Sequence, residues 1–265
     1  MSPIKVFVKL GGSFITDKSV QGSLNGPRVS AAARMIRKAL DKSRGRLQLV
    51  LAHGGGSYGH ILAKRYAAVA GIHPSFGWEG LYKIRESMAR MNLLFLKHCN
   101  RGGLFPVTVS PFAVAEAADG AVRRLDVHNI QALLELGQVP LLHGDIIPDA
   151  QRGFTIASTE ALLEALSRRI RFDRIVMVSD TDGVLGPGGA AIARINGGNI
   201  RKLVGTIGGS MSPDVTGGMR KKVEKLSALV SGGRAGSARI LRCSADGRNL
   251  CEAILGTGGG GTVFS

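Results

Sequence analysis

The amino-acid sequence predicts an α/β protein with a mainly parallel central sheet that helices cover on both faces. Short β-rich runs alternate with amphipathic stretches along the 265 residues, which is typical of such sheets. A hydrophobic content of 44% can supply a large core, and no long linker or internal repeat divides the chain. We therefore expect a single domain over residues 1–265, with an N-terminal lobe over about 1–150 and a C-terminal lobe over about 151–265.

Apolar runs predict the strands. In chain order they are IKVFVKL (4–10), LQLVLA (47–52), LFPVTVS (104–110), VPLLHGD (139–145), RIVMVSD (174–180), ARILRCS (238–244) and TVFS (262–265). Amphipathic stretches between them predict helices over 28–43, 86–99, 158–170 and 216–233. Ser158 or Thr159 is placed to cap the third helix, and Gly232 with Gly233 ends the fourth.

Charge and cysteine content limit the functional classes. The net charge of +16 attracts polyanions, but the chain lacks a zinc finger, an RNA-binding signature and a series of aromatic residues, so we do not expect a dedicated nucleic-acid binder. We expect no secretory signal and no membrane span. Cys99, Cys243 and Cys251 lack metal-ligand spacing and indicate thiols in a reducing cytoplasm.

Glycine-rich turns recur where a strand ends and a helix can begin. They are KLGGS (9–13), HGGGSYGH (53–60) and DVTGGM (214–219). Glycine lets a phosphate lie against the main chain, and a helix N-terminus offers free N–H groups, although any one such turn has a steric explanation as well. Because each turn has a lysine nearby, we favour a shared anionic ligand. The spacing matches neither a P-loop nor a dinucleotide-binding motif.

The motifs together resemble a known family. KLGGSFITDK, HGGGSYGH, HGDI (143–146), SDTDGVL (179–185) and DVTGGMRKKV (214–223) occur in the order and approximate spacing of the amino acid kinase superfamily, and the chain is most similar to the isopentenyl phosphate kinases of archaeal type. The resemblance implies a three-layer αβα sandwich, usually a homodimer. It also implies that the acceptor lies in the N-terminal lobe and ATP over the carboxyl ends of the strands.

The same resemblance implies a reaction. An ATP- and Mg²⁺-dependent kinase would convert isopentenyl phosphate to isopentenyl diphosphate, a step of isoprenoid biosynthesis by the mevalonate pathway. A phosphate monoester is mostly dianionic at neutral pH, because its second pKa is about 6, so it needs no general base. Other interpretations remain: a phosphonate kinase of the fosfomycin-resistance type, an amino-acid or nucleoside-monophosphate kinase, or a basic nucleic-acid-binding or regulatory protein on this fold.

By resemblance, four residues take catalytic roles. Lys9 contacts the transferring phosphoryl group, Lys18 reaches the nucleotide phosphates, and His60 donates a hydrogen bond to the acceptor phosphate. Asp145 orients a catalytic lysine or fixes the acceptor site, although capping of a strand end is also open.

The remaining assignments are to binding, with no residue set aside as a metal ligand. Expected on the nucleotide side are Gly11, Gly12, Ser13, Asp180, Asp182, Gly183, Gly217, Gly218 and Lys222. Expected on the acceptor side, beside His60, are Gly54, Gly55, Gly56, Gly59 and Gly144. Lys221 is adjacent to Lys222 and could serve instead, and Asp182 before Gly183 also fits a simple turn.

Two segments leave alternatives open. Thr159 stands where the family has an aspartate that organises the lysines, with Glu160 next to it. Glu160 could replace that aspartate, Ser158 and Thr159 could cap the helix while its N-terminus alone balances the phosphate charge, or the enzyme could be weakened. On the stretch 75–95, Met88, Met91 and Phe95 share one helical face, which fits either core packing or an apolar acceptor pocket.

Overall fold

The computed structural model describes residues 2–17, 19–186, 188–206 and 218–265. Its strands are β1 (Ile4–Leu10), β2 (Leu47–His53), β3 (Val107–Thr108), β4 (Ala115–Ala118), β5 (Ala121–Leu125), β6 (Pro140–His143), β7 (Asp145–Asp149), β8 (Gly153–Ala157), β9 (Phe172–Ser179), β10 (Arg194–Ile195), β11 (Ala235–Arg242) and β12 (Thr262–Phe264).

Helices connect these strands. They are α1 (Gly12–Ile15), α2 (Gly26–Ser43), α3 (Gly56–Arg65), α4 (Gly77–Arg101), α5 (Pro111–Val114), α6 (His128–Glu135), α7 (Thr159–Leu166), α8 (Ile200–Thr206), α9 (Gly218–Ser231) and α10 (Arg248–Leu255), with one 3-10 turn at Ala68–Ala70.

The central sheet has eight strands in the order β10-β12-β11-β9-β1-β2-β6-β3. Its pairings are parallel except for that of β12 with β11. The chain leaves β1 toward β2 on one side, and β9 pairs with β1 on the other. In an open parallel sheet, such a switch point forms a crevice beyond the carboxyl ends of the strands, and this is where ligands bind. A smaller sheet, in the order β5-β4-β7-β8, follows from β6.

Helices cover both faces of the large sheet. Val6 and Val8 of β1 point into a core shared with α2, α4 and α10, whereas Phe7 points into a second core shared with α6, α7 and α9. Alternate residues of one strand are therefore buried on opposite faces, as expected for a parallel sheet between two helical layers. This arrangement confirms the predicted fold class.

Most predicted elements are present, with corrected bounds. The run 104–110 forms a strand only at Val107–Thr108, on the edge of the large sheet. The run 139–145 divides, because β6 ends at His143 and Asp145 begins β7 of the smaller sheet. The third predicted helix ends at Leu166 instead of Ile170. The first two residues of the fourth lie outside the described residues.

The three cysteines are free thiols, as the sequence predicted. Cys99 and Cys251 are buried and Cys243 is partly buried, and all three are free thiols. Burial raises the pKa of the Cys99 thiol to about 12, so it is inert at neutral pH. In the part of the chain that the structure describes, no helix is both long and apolar enough to span a membrane.

Candidate functional site

Two glycine turns meet at the carboxyl ends of β1 and β2. A Cβ atom on Gly12 would lie 2.6 Å from the main-chain nitrogen of Gly56, and one on Gly54 would lie 2.8 Å from the nitrogen of Gly12. The Gly54 N–H donates to the Leu10 carbonyl at 3.1 Å. Only glycine permits this approach, and it brings the starts of α1 and α3 side by side.

A cleft opens between these turns, the start of α7 and one face of α4. Most of the residues assigned from the sequence lie in its wall: Lys9, Gly11, Gly12, Ser13, Gly54, Gly55, Gly59, His60, Gly144, Asp145 and Lys222. Further residues complete the wall: Ala63, Ile84, Met88, Ile156, Ala157, Ser158, Thr159, Glu160, Met177, Val178, Ser179 and Ile240. The cleft is thus polar near the glycine turns and apolar toward α4 and β8.

Lys9 and Glu160 form an ion pair in the floor of the cleft. Their Nζ and Oε1 atoms are 2.5 Å apart, and the two side chains are only 8% and 12% exposed. Burial by itself would raise the pKa of Glu160, but the charges of Lys9 and Lys222, with the hydrogen bond from Lys9, outweigh it and lower this pKa to about 2. Glu160 is therefore ionised, with Lys9 in direct contact and Lys222 in the wall of the same cleft.

This pairing favours the first of the alternatives at the start of α7, in which Glu160 takes the place of the aspartate. The Thr159 hydroxyl donates to the His53 carbonyl at 3.0 Å and so joins α7 to β2. Ser158 caps the helix, because its hydroxyl accepts from the Ala161 N–H at 3.2 Å. Glu160 faces the lysines, so the carboxylate stands one position later than the sequence comparison placed it. Glu160 was not among the assigned site residues.

His60 lies on the first turns of α3, half-buried and in the wall of the cleft. The neighbouring Gly59 packs against α4, where a Cβ atom would lie 3.2 Å from the Met88 sulfur. Gly56 is buried behind this surface with a φ of +48°, and a Cβ atom there would collide with Thr16. Gly56 therefore shapes the turn, whereas Gly54 and Gly55 line the cleft.

Two buried histidines directly precede glycines that line the cleft. His53 and His143 end β2 and β6, and their rings stack with centroids 5.3 Å apart. Burial lowers the pKa of His53 to about 3 and that of His143 to about 4. Asn92 lies 3.3 Å from the Nε2 atom of His53. Both rings are thus neutral packing groups at physiological pH, directly before Gly54 and Gly144.

Asp145 pairs with an arginine, where the sequence suggested a lysine. The Nη1 atom of Arg85 lies 2.7 Å from Oδ2 of Asp145, whose side chain is 3% exposed. Burial raises the pKa of Asp145 to about 6, although the charge of Arg85 and a hydrogen bond from the Ile146 N–H oppose this shift. Asp145 lines the cleft and is joined to α4 by this pair. Its expected roles, which are to orient a catalytic lysine, to fix the acceptor site or to cap the strand end, stay predictions.

The nucleotide-side residues divide into those near the cleft and those away from it. The Ser13 hydroxyl donates to Asp180 at 3.0 Å, which ties the first glycine turn to the loop after β9. Asp182 is exposed and pairs with Arg242 at 3.5 Å. Gly183, with a φ of +130°, packs against Thr262. Asp182 and Gly183 therefore act in the turn and do not line the cleft.

The third glycine turn is described only in part. Gly218, with a φ of +64°, begins α9, and Lys222 on its first turns reaches the cleft. Lys18 and Gly217 lie outside the described residues. The described residues contain no group of three histidine, cysteine or acidic side chains that could hold a metal ion by themselves.

The apolar helix serves both the core and the cleft. Met91 and Phe95 of α4 are fully buried in the core, whereas Met88 and Ile84 also line the cleft. Trp78 is 65% exposed and stands apart from it. Core packing is therefore confirmed for Met91 and Phe95, and the acceptor pocket stays a prediction that the position of Ile84 and Met88 supports.

Comparison with known proteins identifies the family to which the chain belongs. The model of the amino acid kinase family matches residues 5–241. The chain is 32% identical over 224 residues to the isopentenyl phosphate kinase of Methanocaldococcus jannaschii, which covers 83% of this chain and 85% of that protein. It is 35% identical over 225 residues to the isopentenyl phosphate kinase of Haloferax volcanii, covering 84% and 88%.

Solved structures agree with this result at the level of the fold. The protein in a report of X-ray structures of isopentenyl phosphate kinase superposes with a TM-score of 0.81 at 24% identity, covering 98% of this chain and 100% of that chain. An isopentenyl phosphate kinase product complex from T. acidophilum superposes with a TM-score of 0.76 at 21% identity, covering 98% and 99%. At these identities the likeness shows a shared fold.

Proposed function

Because this chain belongs to the amino acid kinase family, we propose that it transfers the γ-phosphoryl group of ATP to isopentenyl phosphate and forms isopentenyl diphosphate. The relatives from M. jannaschii and H. volcanii carry the name of this activity and match most of the chain. The observation that carries the proposal is the cleft itself, where two glycine turns and four charged side chains meet an apolar wall.

The transfer needs positioning and charge neutralisation more than proton removal. An oxygen of the acceptor phosphate attacks the γ-phosphorus, the bond from that phosphorus to the bridging oxygen breaks, and ADP leaves with that oxygen. Lys9 and Lys222 stabilise the charge that spreads over the transferred group. The acceptor oxygen carries no proton at neutral pH, so the site requires no general base.

The glycine turns hold the two anions. Gly54 and Gly55 let the acceptor phosphate approach the main chain, and His60 donates a hydrogen bond to it. Gly11, Gly12 and Ser13 lie under the β- and γ-phosphates of ATP. The apolar wall formed by Ala63, Ile84, Met88 and Ile156 receives the five-carbon chain. We further propose that the enzyme acts as a homodimer in the cytoplasm, with the acceptor on the side of the N-terminal lobe.

Mg²⁺ fits this site as a metal held mainly by the nucleotide. Mg²⁺ commonly binds through one or two carboxylates and substrate phosphates, so it does not require a cluster of protein ligands. Asp180, which accepts from Ser13, is the carboxylate beside the first glycine turn. Bound Mg²⁺ would neutralise charge on the β- and γ-phosphates, and Asp180 with Ser13 would hold the turn beneath them.

A screen of acceptors tests the proposal. Release of ADP is measured with isopentenyl phosphate, dimethylallyl phosphate, fosfomycin, glutamate and uridylate, and without an acceptor. We expect the highest kcat/KM with isopentenyl phosphate. Turnover of fosfomycin alone would instead identify a phosphonate kinase. Absence of turnover with salt-sensitive binding to DNA would indicate a nucleic-acid-binding protein on this fold.

A further inference from the structure

The two apolar walls of the cleft belong to different parts of the fold. Ile84 and Met88, one helical turn apart, come from α4. Ile156 comes from β8, where it is opposite Ile146 of β7 in the smaller sheet. The width of the cleft therefore depends on how α4 is held against β7 and β8.

One ion pair joins these walls directly. Arg85 follows Ile84 on α4, and its Nη1 atom lies 2.7 Å from Oδ2 of Asp145, the first residue of β7. Asp145 is opposite Ala157 of β8, which itself lines the cleft. The ion pair thus joins α4, which supplies one wall, to the strands β7 and β8, which supply the other.

The guanidinium group is held from a second side. Its central carbon lies 4.2 Å from the centre of the Phe112 ring, within cation–π distance. The other oxygen of Asp145 accepts from the Ile146 N–H at 2.9 Å. Arg85 is itself 31% exposed and does not line the cleft. Without lining the cleft, it affects the apolar chain of a bound acceptor through the position of α4 and of Asp145.

Only the carboxylate of this ion pair is buried, and such a pair is weak evidence for net stability, whereas in some proteins it specifies one arrangement of the elements that it joins. We propose that Arg85 is a positioning residue that fixes the width of the apolar part of the cleft, and so limits the length of the prenyl chain that the enzyme accepts. This inference rests on the proposed function. Without the pair, Ile84 and Met88 could move away from Ile156, and longer chains would enter.

The test compares acceptor lengths in matched variants. We measure kcat/KM with isopentenyl phosphate and with geranyl phosphate, which has ten carbons, for the wild type and for Arg85→Met, Asp145→Asn and the double variant. The ratio of the ten-carbon to the five-carbon value should rise at least 5-fold in each single variant. The double variant should show no further rise, because both changes break the same contact. Lys83→Ala, which removes an exposed pair with Glu86 on the same helix, is the control and should leave the ratio within 2-fold.

A second variant and a binding measurement guard against misfolding of Arg85→Met and against absence of turnover. If Arg85→Met fails to fold because it leaves the Asp145 carboxylate buried without its arginine, the Asp145→Asn variant avoids that penalty. Calorimetric binding of n-pentyl and n-decyl phosphate gives the same ratio without turnover. A wild type that binds both but does not phosphorylate isopentenyl phosphate would refute the proposed function and still test Arg85. Ratios within 2-fold of the wild type in both folded variants, with only a lower melting temperature, would overturn the inference.

Discussion

The Nζ atom of Lys9 lies 2.5 Å from the Oε1 atom of Glu160, and both side chains are almost completely buried. Lys9 is the last residue but one of β1, whereas Glu160 stands in the first turn of α7. An ammonium group buried this deeply needs a partner to stay charged, and Glu160 supplies it. The pair therefore keeps a cation at the point where the two glycine turns meet.

The Lys9–Glu160 pair predicts a large effect of Glu160→Gln on turnover. Without the carboxylate, Lys9 and Lys222 repel each other and lose the position that we assign to them beside the transferring group. We expect kcat to fall by about 10²- to 10³-fold, the range found when one preorganised hydrogen-bond donor to a transition state is removed. Steady-state ADP release checks this value.

Glu164→Gln is the matched control for that change. Glu164 lies on the same helix but is 39% exposed, and it pairs with Lys225 at 3.2 Å on the surface. Exposed pairs contribute little, so its kcat should stay within about 2-fold of the wild type. Equal losses in the two variants would mean that the charge of α7, and not the position of Glu160, matters.

His60→Ala should weaken the use of the acceptor and leave the binding of the nucleotide nearly unchanged. A hydrogen bond to a charged group contributes about 1.5–3 kcal/mol, so kcat/KM for isopentenyl phosphate should fall by roughly 10- to 100-fold. The Kd for ATP, measured by calorimetry, should change far less. The exposed His128 provides a control variant, His128→Ala, with ordinary kinetics. Unchanged kinetics in His60→Ala would remove this histidine from the mechanism.

Gly54→Ala tests the contact between the glycine turns. The added methyl group would meet the main-chain nitrogen of Gly12 at 2.8 Å, so the two turns would have to separate. A displacement of this size can cost about 100-fold in rate, and we expect a loss of that order in kcat/KM. Gly197→Ala, at a position with no atom within 4 Å of the new methyl group, should be neutral. Full activity in Gly54→Ala would show that the approach of the turns is not required.

The buried histidines predict a loss of stability in mild acid. Folded His53 and His143 take up protons only near pH 3 and 4, whereas in the unfolded chain they do so near pH 6.5. The unfolded state therefore binds more protons between these values, and the free energy of unfolding falls as the pH drops from about 6.5 to 4. Asp145 has the opposite effect. Burial raises its pKa to about 6, so between about pH 6 and 4 the folded chain binds one proton at Asp145 that the unfolded chain does not bind.

Urea unfolding at pH 7, 6 and 5 measures this slope. The two histidines add two protons to the unfolded state and Asp145 adds one to the folded state. The free energy of unfolding therefore changes by up to about 1.4 kcal/mol per pH unit. His53→Gln, which keeps a polar group near Asn92, should flatten the slope by up to about the same amount because it removes one of the two titrating rings. A slope that is the same in both proteins would contradict the assignment of His53 as a buried neutral group.

The fold was predictable where burial is uniform. β1 and β2 are buried on both faces over most of their length, and β9 over its last five residues, so their apolar runs stand out in the sequence and their bounds were found to within a few residues. The smaller sheet was missed, because strands such as AEAA and AVRRL are short and half-exposed. Their pairing depends on contacts with β7 and not on a local pattern.

The site was predictable through its turns but not through its ion pairs. Glycine motifs mark positions where only one residue type fits, so Gly12 and Gly54 could be found from the sequence alone. Glu160 and Arg85 have no such mark, because their partners are distant in sequence and become neighbours only when α7 and α4 pack on the sheet. A shift of one position at the start of α7 was enough to misplace the carboxylate.

The central claim is that the phosphate group of isopentenyl phosphate accepts the γ-phosphoryl group of ATP. ³¹P NMR of the products formed from ATP, Mg²⁺ and isopentenyl phosphate tests it directly. We predict ADP together with a new pair of mutually coupled resonances from a prenyl diphosphate, in equal amounts. ADP with inorganic phosphate alone, and isopentenyl phosphate left unchanged, would contradict it.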